Sequence, residues 1–192
     1  MNSVLISGTP GTGKTTLATK LSECRGYGLI DMGRLAETEH IYVRIDAGRD
    51  TKIIDERKLS IRVEREIRST KGKVIIPSHY AEIVKPKLVD KIIVLRTRPS
   101  ELRKRLMHRG WSEGKIQENL EAEILGVCSY NALTKYGRSK VYEIDTTSLS
   151  PDETLKIALD ILESKEESHI AGSIDWLAEL EESELDLYMM KK

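Results

Sequence analysis

The sequence predicts a three-layer α/β fold in which a mostly parallel five-stranded sheet lies between two sets of helices. Three observations carry that expectation: five short aliphatic runs recur along the chain, helix-length periodic segments separate them, and the strongest runs are continuously apolar rather than alternating. Continuous runs are what strands covered on both faces require. A chain of 192 residues holds one sizeable core and is short for two ordinary domains, so residues 1–192 are read as a single domain.

In order, Val4-Leu5-Ile6 is the first run, followed by a Gly-rich loop and a helical pattern over Lys14–Cys24 in which Leu17, Ala18 and Leu21 share a face. Gly28-Leu29-Ile30 is the second run. The segment from Asp31 to about Asp55 is polar and rich in Gly, Asp and Arg, and reads as a small helical insertion or a mobile loop. Glu56–Ser69 has helical periodicity, and Val74-Ile75-Ile76 and Ile92-Ile93-Val94-Leu95 are the next two runs. Pro99-Ser100-Glu101 places a proline and an acid where a helix starts, so Ser100–Arg109 is a helix, and Lys115–Leu133 is another. Val141-Tyr142-Glu143-Ile144 is a weaker strand, and Pro151-Asp152-Glu153 opens a further helix. The tail, 165–192, is largely acidic, yet Ile170, Ile174, Leu177 and Leu180 keep helical spacing. It reads as a closing helix packed on the domain or as a docking element for a partner.

Composition narrows the function. Hydrophobic residues make up 39% and charged residues 32%, and no apolar run reaches transmembrane length, so no membrane role is expected. Lys plus Arg equals Asp plus Glu at 31 each, which leaves no global field to draw the protein onto nucleic acid, and no direct sequence-specific nucleic-acid binding is expected. Phe is absent, so aliphatic side chains must build the core. Cys24 and Cys128 lack metal-ligand spacing and read as reduced, buried thiols. The first residues run straight into a strand without a basic leader, and the expected location is cytoplasmic.

Residues 8–15, Gly8-Thr9-Pro10-Gly11-Thr12-Gly13-Lys14-Thr15, match G-x-x-x-x-G-K-[ST] between a strand and a helix. Gly11 and Gly13 let backbone N–H groups wrap a phosphate without Cβ collisions, and the following helix adds its dipole through Thr15 and Thr16. Lys14 is a point charge for the β- and γ-phosphates, and the Thr15 hydroxyl is a ligand for Mg²⁺. The expected fold is therefore a P-loop NTPase fold, with ATP and Mg²⁺ as its cofactors. Between 96 and 109 six Lys or Arg face one Glu, and Arg105 and Arg109, four apart, share a helix face leading into a short lid at 108–118. A solvated basic face is the usual fate of such a run, but this local excess in a chain of zero net charge favours a functional role, for Arg109 above all.

Together GTPGTGKTTLA, IDMGRLAETE, VIIPSHY, IIVLRTRPSELRKRLMHRGWS and KIQENLEAEI, in order from about residue 3 to 163, resemble the adenylate kinase isoenzyme six family and its archaeal members. The resemblance implies a nucleoside monophosphate kinase core with ATP as donor, AMP or a similar monophosphate as acceptor, and an associated ATPase activity. It further implies a role in maturing the small ribosomal subunit through a ribosomal protein partner. Arg109 would be the lid arginine that contacts ATP and Arg105 a second phosphate ligand. Residues 31–54 would bind the monophosphate, and Asp145-Thr146-Thr147 would lie near the adenine. Lys14, Arg105, Arg109 and His79 are thus the catalytic candidates. Gly11, Gly13, Lys14, Thr15, Thr16, Arg109 and Thr146 are the nucleotide-binding candidates, with Thr15 as metal ligand.

Two positions depart from the family pattern. Family members carry an aspartate two residues before the His, where this chain has Pro77, so Mg²⁺ must rely on Thr15, the phosphates, water and Asp31. Glu37 stands where the family has an arginine for the acceptor phosphate; Arg34, Arg44 and Arg49 are the candidates to replace it. These losses keep two alternatives open beside the kinase: an ATPase assembly factor with incidental kinase activity, and a degenerate nucleotide-binding scaffold.

Overall fold

The computed structural model describes residues 3–46, 51–163 and 169–189. The chain begins with β1 (Ser3–Gly8) and α1 (Lys14–Arg25), then β2 (Gly28–Leu29) and α2 (Met32–Thr38). A hairpin of β3 (Tyr42–Asp46) and β4 (Thr51–Ile54) precedes α3 (Glu56–Ser69) and β5 (Val74–Pro77). Next come β6 (Val89–Arg96), α4 (Pro99–His108), α5 (Glu113–Ile124) and α6 (Val127–Tyr136). The chain closes with β7 (Val141–Asp145), α7 (Pro151–Glu163) and two short helices, α8 (Trp176–Glu179) and α9 (Glu182–Tyr188).

The main sheet has the order β2-β5-β1-β6-β7 with every pair parallel, and Leu5 of β1 faces Ile76 on one side and Ile92 on the other. All six residues of β1 are buried, because helices cover both faces. The period of two along each strand sorts the core into two layers. Leu5, Ile76, Ile92 and Val94 pack with Leu59, Val63 and Ile67 of α3 and Ala132 of α6, while Val4, Ile6, Ile93 and Leu95 pack with Leu17, Ala18 and Leu21 of α1 and Ala158 and Ile161 of α7. Each such side chain contributes about 1.5–3 kcal/mol. The predicted sheet and its helix layers are therefore present, and β1 ends centrally, between β5 and β6.

Four expectations need correction. Lys115–Leu133 is not one helix: it breaks between α5 and α6 at Gly126, whose φ of 61° is left-handed, and a Cβ there would lie 3.6 Å from the Arg96 guanidinium. Segment 31–54 is neither wholly helical nor a loop; after α2 it forms the antiparallel β3–β4 pair. The apolar residues of the tail do not share one helix. Glu143 N donates to His169 O and Ala171 N to Val141 O, so the chain there runs as an extended strap along the free edge of β7 before α8 and α9 begin. Cys24 is exposed and Cys128 half-buried, and both are free thiols. Among the described residues no helix is long and apolar enough to cross a membrane.

The tail then closes a third apolar cluster. Trp176, Leu180 and Tyr188 pack on Leu102 and Leu106 of α4 and on Ile116, Leu120 and Ile124 of α5. Trp176 is 3% exposed, and its burial outweighs the part-exposed Arg98–Glu184 ion pair in holding the segment.

Candidate active site

β1 ends at Gly8 with φ 137°, and a Cβ there would lie 2.4 Å from the Leu95 carbonyl oxygen, so only glycine lets the chain turn here. The loop then folds on itself, Thr12 donating to Thr9 O from its backbone N at 3.3 Å and its Oγ1 at 2.9 Å. Gly13, also at positive φ, caps α1 without a side-chain hydrogen bond, and the first turn carries no acid. The first N–H groups of α1 receive no side-chain cap among the described residues and lie at the positive end of the helix, at the carboxyl edge of the sheet. A helix start of this kind suits an anion.

Lys14 stands in that first turn, half-buried, with Nζ donating to Thr9 O at 3.0 Å. Burial lowers its pKa to about 8, with a smaller push from Arg109; Cys128 and Glu123 act in the opposite sense. One cavity lies against the loop and a larger one lies beyond it. A cavity of about 170 Å³ has Thr12, Gly13, Thr16, Leu95, Arg105 and Thr146 in its walls. Another, of about 560 Å³, lies between α2 and the hairpin, with Asp31, Arg34, Glu37, Ile41, Tyr42 and Ile54 in its walls. That volume is in the range of small-molecule sites. A narrower space shares Asp31, Gly33 and Ile54 with it and reaches Lys14, Thr15 and His79.

The remaining candidates distribute around this centre. Arg109, at the end of α4, is exposed and makes no hydrogen bond or ion pair with its side chain among the described residues; it shares a cavity wall with Gly11, Lys14, Thr15, Thr16 and Trp111. Of the predicted lid at 108–118, residues 109–112 are the part between the helices. Arg105 is committed elsewhere: its Nε donates to Glu101 at 3.0 Å and its Nη2 to Thr146 O at 2.8 Å and Thr147 O at 3.3 Å. It also lines the smaller cavity, its guanidinium held by these bonds. Thr146 is buried and its Oγ1 is turned onto Thr12 O, Arg96 O and Thr97 Oγ1, so its hydroxyl holds the loops rather than facing the cavity.

His79 lies in the wall shared by the Lys14 and Arg109 cavities, against Tyr80 with ring centroids 3.9 Å apart. Its surface is exposed, yet the crowded cleft, and then the Lys14 ammonium, lower its pKa to about 4, so it is neutral at physiological pH. Arg34 is exposed on the wall of the large cavity, as is Glu37; the Arg44 side chain and Arg49 lie outside the described residues.

Mg²⁺ prefers oxygen ligands and keeps several waters. Thr15 is exposed in the first turn of α1, and Asp31 lines the same space. Asp31 Oδ1 also caps α2 by accepting from Arg34 N at 3.0 Å. Pro77 lines this space without any side-chain oxygen to offer. Among the described residues no group of three or more His, Cys, Asp or Glu forms a cage. This donor set fits an ion that arrives with phosphate oxygens and water.

A buried ionic network beneath the loop escapes sequence reasoning. Arg96 Nε donates to Glu123 Oε1 at 2.8 Å and Nη1 to Glu143 Oε1 at 3.1 Å, and all three residues are at most 2% exposed. The signals were an arginine ending an apolar run and a glutamate set among Leu120, Ile124 and Leu125. Neither reveals its partner.

Residues 4–126 match a family model described as an AAA domain. The chain is 39% identical over 182 residues to the "Putative adenylate kinase" of Archaeoglobus fulgidus, covering 93% of this chain and 94% of that protein. It is 35% identical over 180 residues to the "Putative adenylate kinase" of Saccharolobus solfataricus, covering 92% and 88% respectively. Among solved structures, shikimate kinase from Acinetobacter baumannii superposes with a TM-score of 0.58 at 16% identity, covering 84% of this chain and 93% of that one, which is a likeness of fold.

Proposed function

The chain belongs to the archaeal family whose members are named "Putative adenylate kinase", and on that premise we propose that it transfers the γ-phosphoryl group of ATP to a nucleoside monophosphate, with AMP as acceptor. The observation that supports this reading is that Gly13 and Thr16 line the small cavity, while Lys14 and Thr15 line a space that shares Asp31, Gly33 and Ile54 with the large one. The small one takes the ATP base, and the large one takes the acceptor.

The acceptor's phosphate oxygen attacks the γ-phosphorus and the bond to the ADP oxygen breaks, so ATP and AMP become two ADP. No protein nucleophile is needed. The α1 N–H groups and Lys14 hold the β- and γ-phosphates, and Arg109, free to swing from the end of α4, meets the charge on the migrating group. His79, neutral, hydrogen-bonds the acceptor phosphate without adding charge. Arg105 serves the base cavity by fixing the Thr146 and Thr147 carbonyls. Arg34 answers the acceptor phosphate that Glu37 repels. Thr15 and Asp31 are the side chains that would hold a Mg²⁺ arriving with ATP, which would supply charge neutralisation at the phosphate oxygens.

Diadenosine pentaphosphate tests the reading, because it carries two adenosines at the two ends of one phosphate chain. Inhibition competitive with both ATP and AMP is expected; inhibition unaffected by AMP sinks the two-cavity assignment. A second reading, transfer to water, is favoured by the acidic side chains Asp31 and Glu37 on the acceptor wall. The assembly-factor form of that reading, with a small-subunit ribosomal protein as partner, rests on the family resemblance alone.

A further inference from the structure

Glu123 is 1% exposed at the end of α5, and its carboxylate is fully subscribed. Three groups that can only donate converge on Oε1: Arg96 Nε at 2.8 Å, Thr97 N at 3.0 Å and the Trp176 indole Nε1 at 3.1 Å. Oε2 is left for Thr9 Oγ1 at 2.5 Å. Thr9 is the second residue of the phosphate loop, and its carbonyl collects Lys14 Nζ, Thr12 N and Thr12 Oγ1. A continuous hydrogen-bonded path therefore runs from Trp176, at the start of α8, through Glu123 and Thr9 to Lys14.

We propose that Glu123 is a positioning residue of the phosphate loop and that the C-terminal segment, by closing on it through Trp176 at the start of α8, is part of the ATP-binding unit rather than a cover for the core. The inference rests on the phosphate-binding reading of the loop and is independent of the acceptor. A threonine hydroxyl has one proton. Spending it on Glu123 fixes the Thr9 rotamer and, with it, the carbonyl from which Lys14 must depart when phosphate arrives. The strap has a second anchor in the same network, since Gly172 N donates to Glu143 Oε2 at 2.8 Å and Arg96 Nη1 to Ile174 O at 3.2 Å. Tail, strand end and loop are thus braced by one set of buried charges, which holds direction in a low-dielectric interior.

The test uses the full chain, a fluorescent ATP analogue with Mg²⁺ for affinity, and thermal melting. In Glu123→Gln the amide oxygen can take the three Oε1 donors, but the amide N–H₂ must then face Thr9 Oγ1, which reverses the one bond the proposal invokes. Thr9→Val deletes that bond, and Thr9→Ser restores it. Trp176→Phe keeps most of the ring and removes the indole donor. A weakening of ATP affinity of about ten-fold is expected in Glu123→Gln and Thr9→Val, with a smaller loss in Trp176→Phe and rescue in Thr9→Ser, as for a lost bond to a charged group. The KM for AMP stays unchanged. ATP affinity that is unaltered in folded Glu123→Gln and Thr9→Val, whatever their melting temperatures, overturns the proposal. If the protein binds the analogue but transfers nothing to AMP, the kinase reading fails while this inference is still decided.

Discussion

The Lys14 ammonium donates a 3.0 Å hydrogen bond to the carbonyl of Thr9, five residues earlier in the same loop, and so rests on the loop that is to hold its ligand. Its pKa is about 8 in this state. Phosphate binds the protonated form, so bound ATP must raise that pKa. Affinity for ATP is accordingly flat below about pH 8 and falls as pH rises through 8 toward the bound-state value. Titration calorimetry from pH 6 to pH 9.5 reads this directly. Affinity that rises over that range contradicts it. Because His79 is neutral down to about pH 4, the same profile shows no step from it near pH 6.5.

Arg109 separates catalysis from stability. It is exposed and bound to no described side chain, so Arg109→Ala leaves stability within about 0.5 kcal/mol. As a charge that meets the migrating phosphoryl group it should cost on the order of a hundred-fold in kcat. Steady-state kinetics beside thermal melting check both halves, and an equal loss in each contradicts a lid role.

Arg105 should behave differently. Arg105→Ala releases the Thr146 and Thr147 carbonyls, so KM for ATP rises more than kcat falls, and stability drops by about 1 kcal/mol, discounted for its partial exposure.

Asp31→Asn tests how the chain manages with Pro77. Asparagine still caps α2, so the fold is retained. The Mg²⁺ concentration for half-maximal nucleotide binding should rise about ten-fold. An unchanged Mg²⁺ requirement removes Asp31 from the metal site.

Trp176→Ala leaves a void among Leu102, Leu106 and Ile124 and should destabilise the protein by about 3 kcal/mol in urea unfolding. A loss below about 0.5 kcal/mol would mean that the tail is not part of the cooperative unit.

What the sequence disclosed follows how local each determinant is. The phosphate loop occupies consecutive residues, and the buried strands are apolar runs whose character does not depend on partner or register. The β3–β4 pair was missed because Arg44, Asp46 and Lys52 give a polar composition that hides a two-stranded ladder. The tail misled through a real regularity: the spacing of Ile170, Ile174, Leu177 and Leu180 is helical, but the free edge of β7 takes the first of them as an extended strap. In the site, Arg105 announces a charge while its partner is a carbonyl 41 residues away. The Arg96–Glu123–Glu143 network is set by pairings of the same long-range kind, which a single chain read in order does not display.

The most direct measurement is the fate of ATP labelled at its γ-phosphate when purified protein, Mg²⁺ and AMP are mixed. Label appearing in the β-position of ADP, with little inorganic phosphate and none of it transferred by Lys14→Ala, is the predicted result. Label released as inorganic phosphate at the same rate with or without AMP would contradict the account.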